Sequence, residues 1–129
     1  MLTSCANKTV QKEDLKHLSG YWEINEVIFS DKTTKEYTTN TTIDYIKLDD
    51  STGFRKKVQP KLDGTFTTSD NSEIFTIKEN NDAFTLFYKT DFSTREEQLI
   101  KIDQQSFIVK TKDNVSYVYK RYEPINITE

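Results

Sequence analysis

Few residues in this chain could carry chemistry, and their spacing assembles no catalytic group. His17 is the only histidine and Cys5 the only cysteine. One imidazole and one thiol do not make the multi-ligand set a metal needs, and a single Cys permits no disulfide within the chain. A nucleophile elbow G-x-S-x-G, a Gly-rich phosphate loop and H-E-x-x-H are all absent. The carboxylate pairs Asp49-Asp50 and Glu96-Glu97 fall in strand-like stretches, where neighbours point to opposite faces. They read as solvated charges, not as an acid–base pair. Glu26 sits among Trp22, Ile24 and Ile28, a setting that could shift its pKa. Pairing with Arg121 or a place on a rim accounts for it equally well. We therefore assign no catalytic residue, no metal and no cofactor, and expect a protein that is not an enzyme.

The chemistry that remains is at Cys5. Leu2-Thr3-Ser4-Cys5 resembles the bacterial lipobox, in which Leu and two small residues precede a Cys that becomes lipid-modified. The charged and apolar segment that precedes such a box does not stand before Leu2. The resemblance implies a lipidated Cys5, a membrane partner through it, and a place in the bacterial cell envelope facing the periplasm or cell surface. A cytoplasmic protein is the alternative if Met1 is the true start.

The elements divide the chain simply. Residues 1–10 are a lipobox remnant and polar tether, 11–125 form one domain, and 126–129 are a tail. One domain is natural for 129 residues. Gln11 to Leu18 reads as a short helix with Thr9 as N-cap, and Leu15 and Leu18 share a face. Strands are expected over 21–29, 42–49, 54–62, 65–68, 72–79, 83–90, 94–103, 106–112 and 115–122. The long polar connection 30–42 holds a short strand around Tyr37. Pro60 requires an unpaired or bulged position. Eight Phe, seven Tyr and one Trp supply the buried area, and with only three Gly the turns fall to Asn and Asp. Strands at this even spacing, joined by hairpins, predict an all-β, up-and-down antiparallel barrel of about eight to nine strands with a short N-terminal helix. The net charge of -3, without a basic stripe, argues against nucleic acid as a partner.

Gly20-Tyr21-Trp22 has the G-x-W form that opens the first barrel strand of lipocalins. Arg121, in Tyr119-Lys120-Arg121-Tyr122, matches the late Arg of that group, and Leu62-Asp63-Gly64-Thr65-Phe66 resembles a mid-barrel hairpin of its small members. The chain thus resembles the lipocalin or calycin group, most of all the lipocalin-like lipoproteins of Bacteroidetes. The resemblance implies a closed end where Arg121 packs over Trp22, and a barrel that binds a small hydrophobic or amphipathic molecule. Its lining is expected from Tyr45, Phe66, Phe75, Phe84, Tyr88, Phe107, Tyr117 and Tyr119, since aromatic walls with hydroxyls orient such ligands. The alternative is a filled barrel that binds an envelope protein through its outer surface, the 30–42 loop and Tyr122.

Overall fold

The computed structural model describes residues 10–37, 40, 42–81 and 83–123, excepting the side chains of 69–71. A 3-10 helix, Lys12–Leu18, leads into β1 (Gly20–Ile28). The remaining strands are β2 (Thr34–Glu36), β3 (Ile43–Asp49), β4 (Thr52–Pro60), β5 (Phe66–Asn80), β6 (Ala83–Lys89), β7 (Thr94–Ile102), β8 (Ser106–Lys110) and β9 (Ser116–Arg121). From β3 to β9 each strand pairs antiparallel with the next, β3 pairs with β1, and β9 returns to pair with β1. These eight strands close an up-and-down barrel, and β2 adds to the far half of β1. Closure leaves the ring without a free edge, the main aggregation hazard of a sheet.

Turn chemistry explains why the chain reverses where it does. Asp50, Asn81 and Asn114 adopt positive φ at three hairpin turns, and Gly64 does so at a fourth. Asn and Asp tolerate this left-handed conformation at low cost. The turns at 50–51, 81 and 103–105 lie at the end of the barrel that carries the helix. Those at 61–65, 90–93 and 111–115 lie at the other.

The helix end is solidly filled. Leu15, Leu18, Trp22, Ile46, Phe75, Ile77, Phe84, Leu86, Leu99, Ile102, Phe107 and Val109 form one buried cluster with Tyr88 and Tyr119. Gly53 is needed there: a Cβ would stand 2.6 Å from the Lys47 carbonyl oxygen and 2.7 Å from the Phe75 ring. Asn40 ties the loop after β2 to β1, its Nδ2 donating to Glu23 Oε1 and to the Ile24 carbonyl, both at 3.1 Å.

Four local expectations are corrected. Strands 65–68 and 72–79 are one strand, β5, which runs through Asp70-Asn71 without turning. The surplus residues are absorbed by a register shift opposite Lys56 and Val58. Pro60 ends β4 opposite Phe66, and the irregularity lies before it. The helix is capped by Gln11, whose backbone N–H donates to Asp14 Oδ2 at 3.0 Å; Thr9 lies outside the described residues, as do Cys5 and the rest of 1–9, while Val10, expected in the polar tether, is buried in the core cluster.

Candidate functional site

The closed end is built on Trp22, fully buried on β1. Its indole N–H donates to the Leu18 carbonyl at 2.8 Å, which fixes the helix across the barrel mouth. Phe107 meets the indole edge-on at 4.7 Å. The Arg121 guanidinium lies over its face at 3.9 Å and donates to the carbonyls of His17, Ser19 and Gln104, each at 3.0 Å. Desolvation lowers the Arg121 pKa, yet the group stays charged over a π-face that attracts cations. Gly20 has φ +135°, and a Cβ on it would overlap Arg121 Nη1. The spacing Gly-x-Trp thus reflects one arrangement: the glycine admits the arginine that covers the tryptophan.

Toward the other end the interior changes character. Arg55 on β4 points inward and is buried. Its Nη2 donates to Asp44 Oδ2 at 2.5 Å and to the Tyr119 hydroxyl at 2.6 Å, and its Nη1 to the Tyr88 hydroxyl at 3.1 Å. Lys57 Nζ completes the Asp44 carboxylate from the other side, 2.6 Å from Oδ1. Burial alone would raise the Asp44 pKa, but the charges of Arg55 and Lys57 outweigh it and hold the carboxyl below its ordinary value. Burial would likewise discharge Arg55, and Tyr119, Tyr88, Asp44 and Glu97 around it raise its pKa well above normal instead. Desolvation pushes the Tyr119 phenol up to about 12. Arg95 caps this layer, lying over the Tyr88 ring at 4.0 Å and gripping Glu73 with both terminal nitrogens.

Two buried oxygens of this network, Asp44 Oδ1 and Glu97 Oε1, accept no hydrogen bond; Asp44 Oδ1 still has Lys57 Nζ at ion-pair distance, and Glu97 has no such close partner. It is 7% exposed, and its Oε1 is buried without a hydrogen-bond partner. Arg55 Nη1 stands 3.7 Å from Oε1 and Arg95 Nε 4.0 Å from Oε2, both beyond hydrogen-bonding range.

Above the layer a cavity of about 480 Å³ opens, lined by Arg55, Lys56, Lys57, Glu73, Arg95, Glu97, Thr111, Tyr117 and Tyr119. That volume lies within the range of small-molecule sites. Lys57 and Arg95, with side chains 64% and 44% exposed, stand at its mouth. Phe29, Leu62 and Phe92 are exposed on the loops of the same end.

The eight aromatic residues expected to line the barrel separate into three groups. Tyr117 and Tyr119 line the cavity. Phe75, Phe84, Tyr88 and Phe107 are buried in the filled part, where Tyr88 reaches the layer through its hydroxyl. Tyr45 and Phe66 are not inside. Asp44 and Ile46 take the inner face of β3, so Tyr45 points outward, 4.7 Å from Tyr21 and 5.9 Å from Phe54. Phe66 stacks on Tyr21 at 4.6 Å and meets Tyr122 at 6.2 Å. Glu26 is half-buried beside a register shift in β1, and Arg121 lies at the opposite end of that strand.

Asp44, Arg55, Glu73, Arg95 and Glu97 were missed by sequence reasoning. Glu96 and Glu97 do point to opposite faces, but only Glu96 faces outward, 3.2 Å from Lys112. The available signal was alternation: Glu97 shares a face with Leu99, and Asp44 with Ile46. Among the described residues no group of three or more His, Cys, Asp or Glu side chains could hold a metal, and no helix is long and apolar enough to cross a membrane.

A closed eight-stranded barrel, with its Trp–Arg closed end and a cavity at the other, is a lipocalin-like fold. Solved structures with this architecture include a lipocalin-like protein from Bacteroides uniformis, with a TM-score of 0.51 at 8% identity, covering 82% of this chain and 99% of that one. An uncharacterized protein from Bacteroides eggerthii matches with a TM-score of 0.51 at 10% identity, over 81% and 99%. Lobster apocrustacyanin A1 matches with a TM-score of 0.50 at 9% identity, over 90% and 67%. No family model matches the chain, and no curated protein matches it by sequence.

Proposed function

We propose that this protein binds a small molecule in the open end of its barrel and performs no chemistry on it. The observation that carries the reading is the cavity of about 480 Å³ standing above a filled closed end. A purely hydrophobic ligand does not suit it, because charged side chains dominate the lining. The ligand is amphipathic, its polar part against Arg55, Glu97 and Tyr119 and its apolar part against Tyr117 and the exposed Phe29, Leu62 and Phe92 of the same end. The lipobox-like Leu2-Thr3-Ser4-Cys5 supports a lipid anchor on Cys5 in the bacterial envelope. Two or more acyl chains would hold the domain stably at a membrane.

The test is titration of the isotope-labelled domain with organic extracts of the envelope, read by amide shifts. Binding is expected to move Thr111, Tyr117 and Tyr119. Trp22 is a poor reporter, since it is buried at the opposite end. Absence of any shift at saturating extract would remove the reading. The anchor is tested separately: Cys5→Ser in the full upstream reading frame is expected to release the protein to the soluble fraction. An unacylated Met1 terminus on the native protein would refute it.

A second reading, a module that binds an envelope protein, draws on the outward aromatic group of Tyr21, Tyr45, Phe54, Phe66 and Tyr122. Crosslinking in the envelope separates the two: a partner captured through Tyr45 or Phe66, with an empty cavity, favours the second.

A further inference from the structure

We infer that the cavity selects an uncharged ligand bearing hydroxyl or amide N–H donors, with Glu97 as the acceptor that recognises it. This rests on the ligand-binding reading above and specifies its chemistry. Three cations and three carboxylates make up the inner layer and its rim. Asp44 is met by Arg55 and Lys57, and Glu73 by Arg95. Glu97 lies between Arg55 and Arg95. Lys56, the further cation of the lining, leans toward the outer Phe54 ring, 6.0 Å from its centre. The formal charges inside therefore balance without a ligand. A charged ligand would bring an unmatched charge into a poorly solvated place, where it is penalised.

What the layer lacks is a donor. Glu97 Oε1 is buried and accepts no hydrogen bond, although buried acceptors are nearly always satisfied. An ammonium group is the wrong donor, because two guanidinium groups already stand at 3.7 Å and 4.0 Å from this carboxylate and would repel it. A hydroxyl or an amide N–H satisfies the oxygen without adding charge, and a bond to an ionised acceptor is stronger than a neutral one. Tyr117, partly buried in the wall, offers an apolar face beside it. Tyr119 cannot serve that way, since Phe107 stacks on its ring at 4.7 Å and Arg55 lies over it at 4.9 Å.

The experiment compares three probes with the same eight-carbon tail on the wild-type protein, each below its micellar concentration: octyl glucoside, octanoate and octylammonium. Calorimetry gives the affinities, and amide shifts locate the site. The glucoside is expected to bind at least about tenfold more tightly than either ion. Glu97→Gln, which keeps the shape and removes the charge, should lose about tenfold of that affinity, whereas Glu96→Gln on the outer face should lose none. Equal or tighter binding of either ion overturns the inference while leaving a small-molecule site in place, as does an unchanged glucoside affinity in Glu97→Gln. If no probe moves Thr111, Tyr117 or Tyr119, the inference and the small-molecule reading fall together. The wild-type comparison stands even if Glu97→Gln does not fold.

Discussion

The closed end makes a quantitative prediction through the pair Trp22 and Arg121. Trp22 is fully buried, so Trp22→Ala removes a large core side chain and is expected to cost about 3–5 kcal/mol. Arg121→Ala removes the cation from the indole face, worth about 0.5–2 kcal/mol. It also removes the half-buried bond to the His17 carbonyl, worth about 1.5 kcal/mol for a charged donor. The bonds to Ser19 and Gln104 are exposed, and water replaces them at little cost. The single variant should therefore lose about 2–3.5 kcal/mol. The stacking term is counted in both single variants but is lost only once. The double variant should fall short of the sum by about 0.5–2 kcal/mol. Urea unfolding followed by circular dichroism measures this, because Trp22 is the chain's only indole and is absent from two of the four proteins. These losses approach a typical total stability of about 5–15 kcal/mol. If the double variant does not fold, Trp22→Phe in place of Trp22→Ala gives the same cycle with a smaller coupling. Additivity within about 0.3 kcal/mol would refute the stacking argument.

Other expectations can be checked alongside it. Gly53→Ala should destabilise by about 1–3 kcal/mol, because its Cβ meets the Lys47 carbonyl and the Phe75 ring; an unchanged melting curve would show that the hairpin yields freely. Arg55→Met should cost about 3–5 kcal/mol by stranding Asp44 and Glu97, while replacing all three with apolar residues should restore most of the stability and abolish ligand binding. Restored binding in that triple variant would mean the layer is not the recognition surface. The folded Asp44 pKa lies below its ordinary 3.8, so its contribution is full above that value and is lost as pH falls through the folded value. The stability difference between wild type and Asp44→Asn should accordingly shrink on acidification below about pH 4. Tyr119 behaves in the opposite sense: raised from 10.0 to about 12, it contributes below pH 10 and loses that contribution as pH rises toward 12. Tyr119→Phe should flatten this alkaline limb, and a limb of unchanged steepness would reassign it.

Much of the architecture was legible in the chain because it is written locally. The hairpin turns at Asp50, Asn81 and Asn114 can be read from residues that tolerate positive φ, and the strands between them from side chains suited to a pleated surface. Gly20, Trp22 and the Leu15–Leu18 face mark the closed end within a dozen residues. Asp70-Asn71 failed as a turn signal because β5 pairs with β4 on both sides of it, at 66–68 and at 72–76, and the residues between sit in the register shift instead of reversing the chain. The aromatic rings of Tyr45 and Phe66 suggest lining by type alone, yet the face of a strand depends on which of its neighbours the closed ring turns inward. The charged layer was the least visible part. Asp44, Arg55 and Glu97 come from three strands, and each alone reads as a solvated charge, since alternation cannot say which face of a barrel is wet. Sequence by itself determined most of the elements, their order and the Gly-x-Trp and Leu15–Leu18 part of the closed end, which are set by interactions a few residues apart. Only closure of the ring by β1 and β9 decided the rest: it brings Tyr119 and Glu97 from distant strands to the buried Arg55, and a charge can be buried only where its partner is buried beside it.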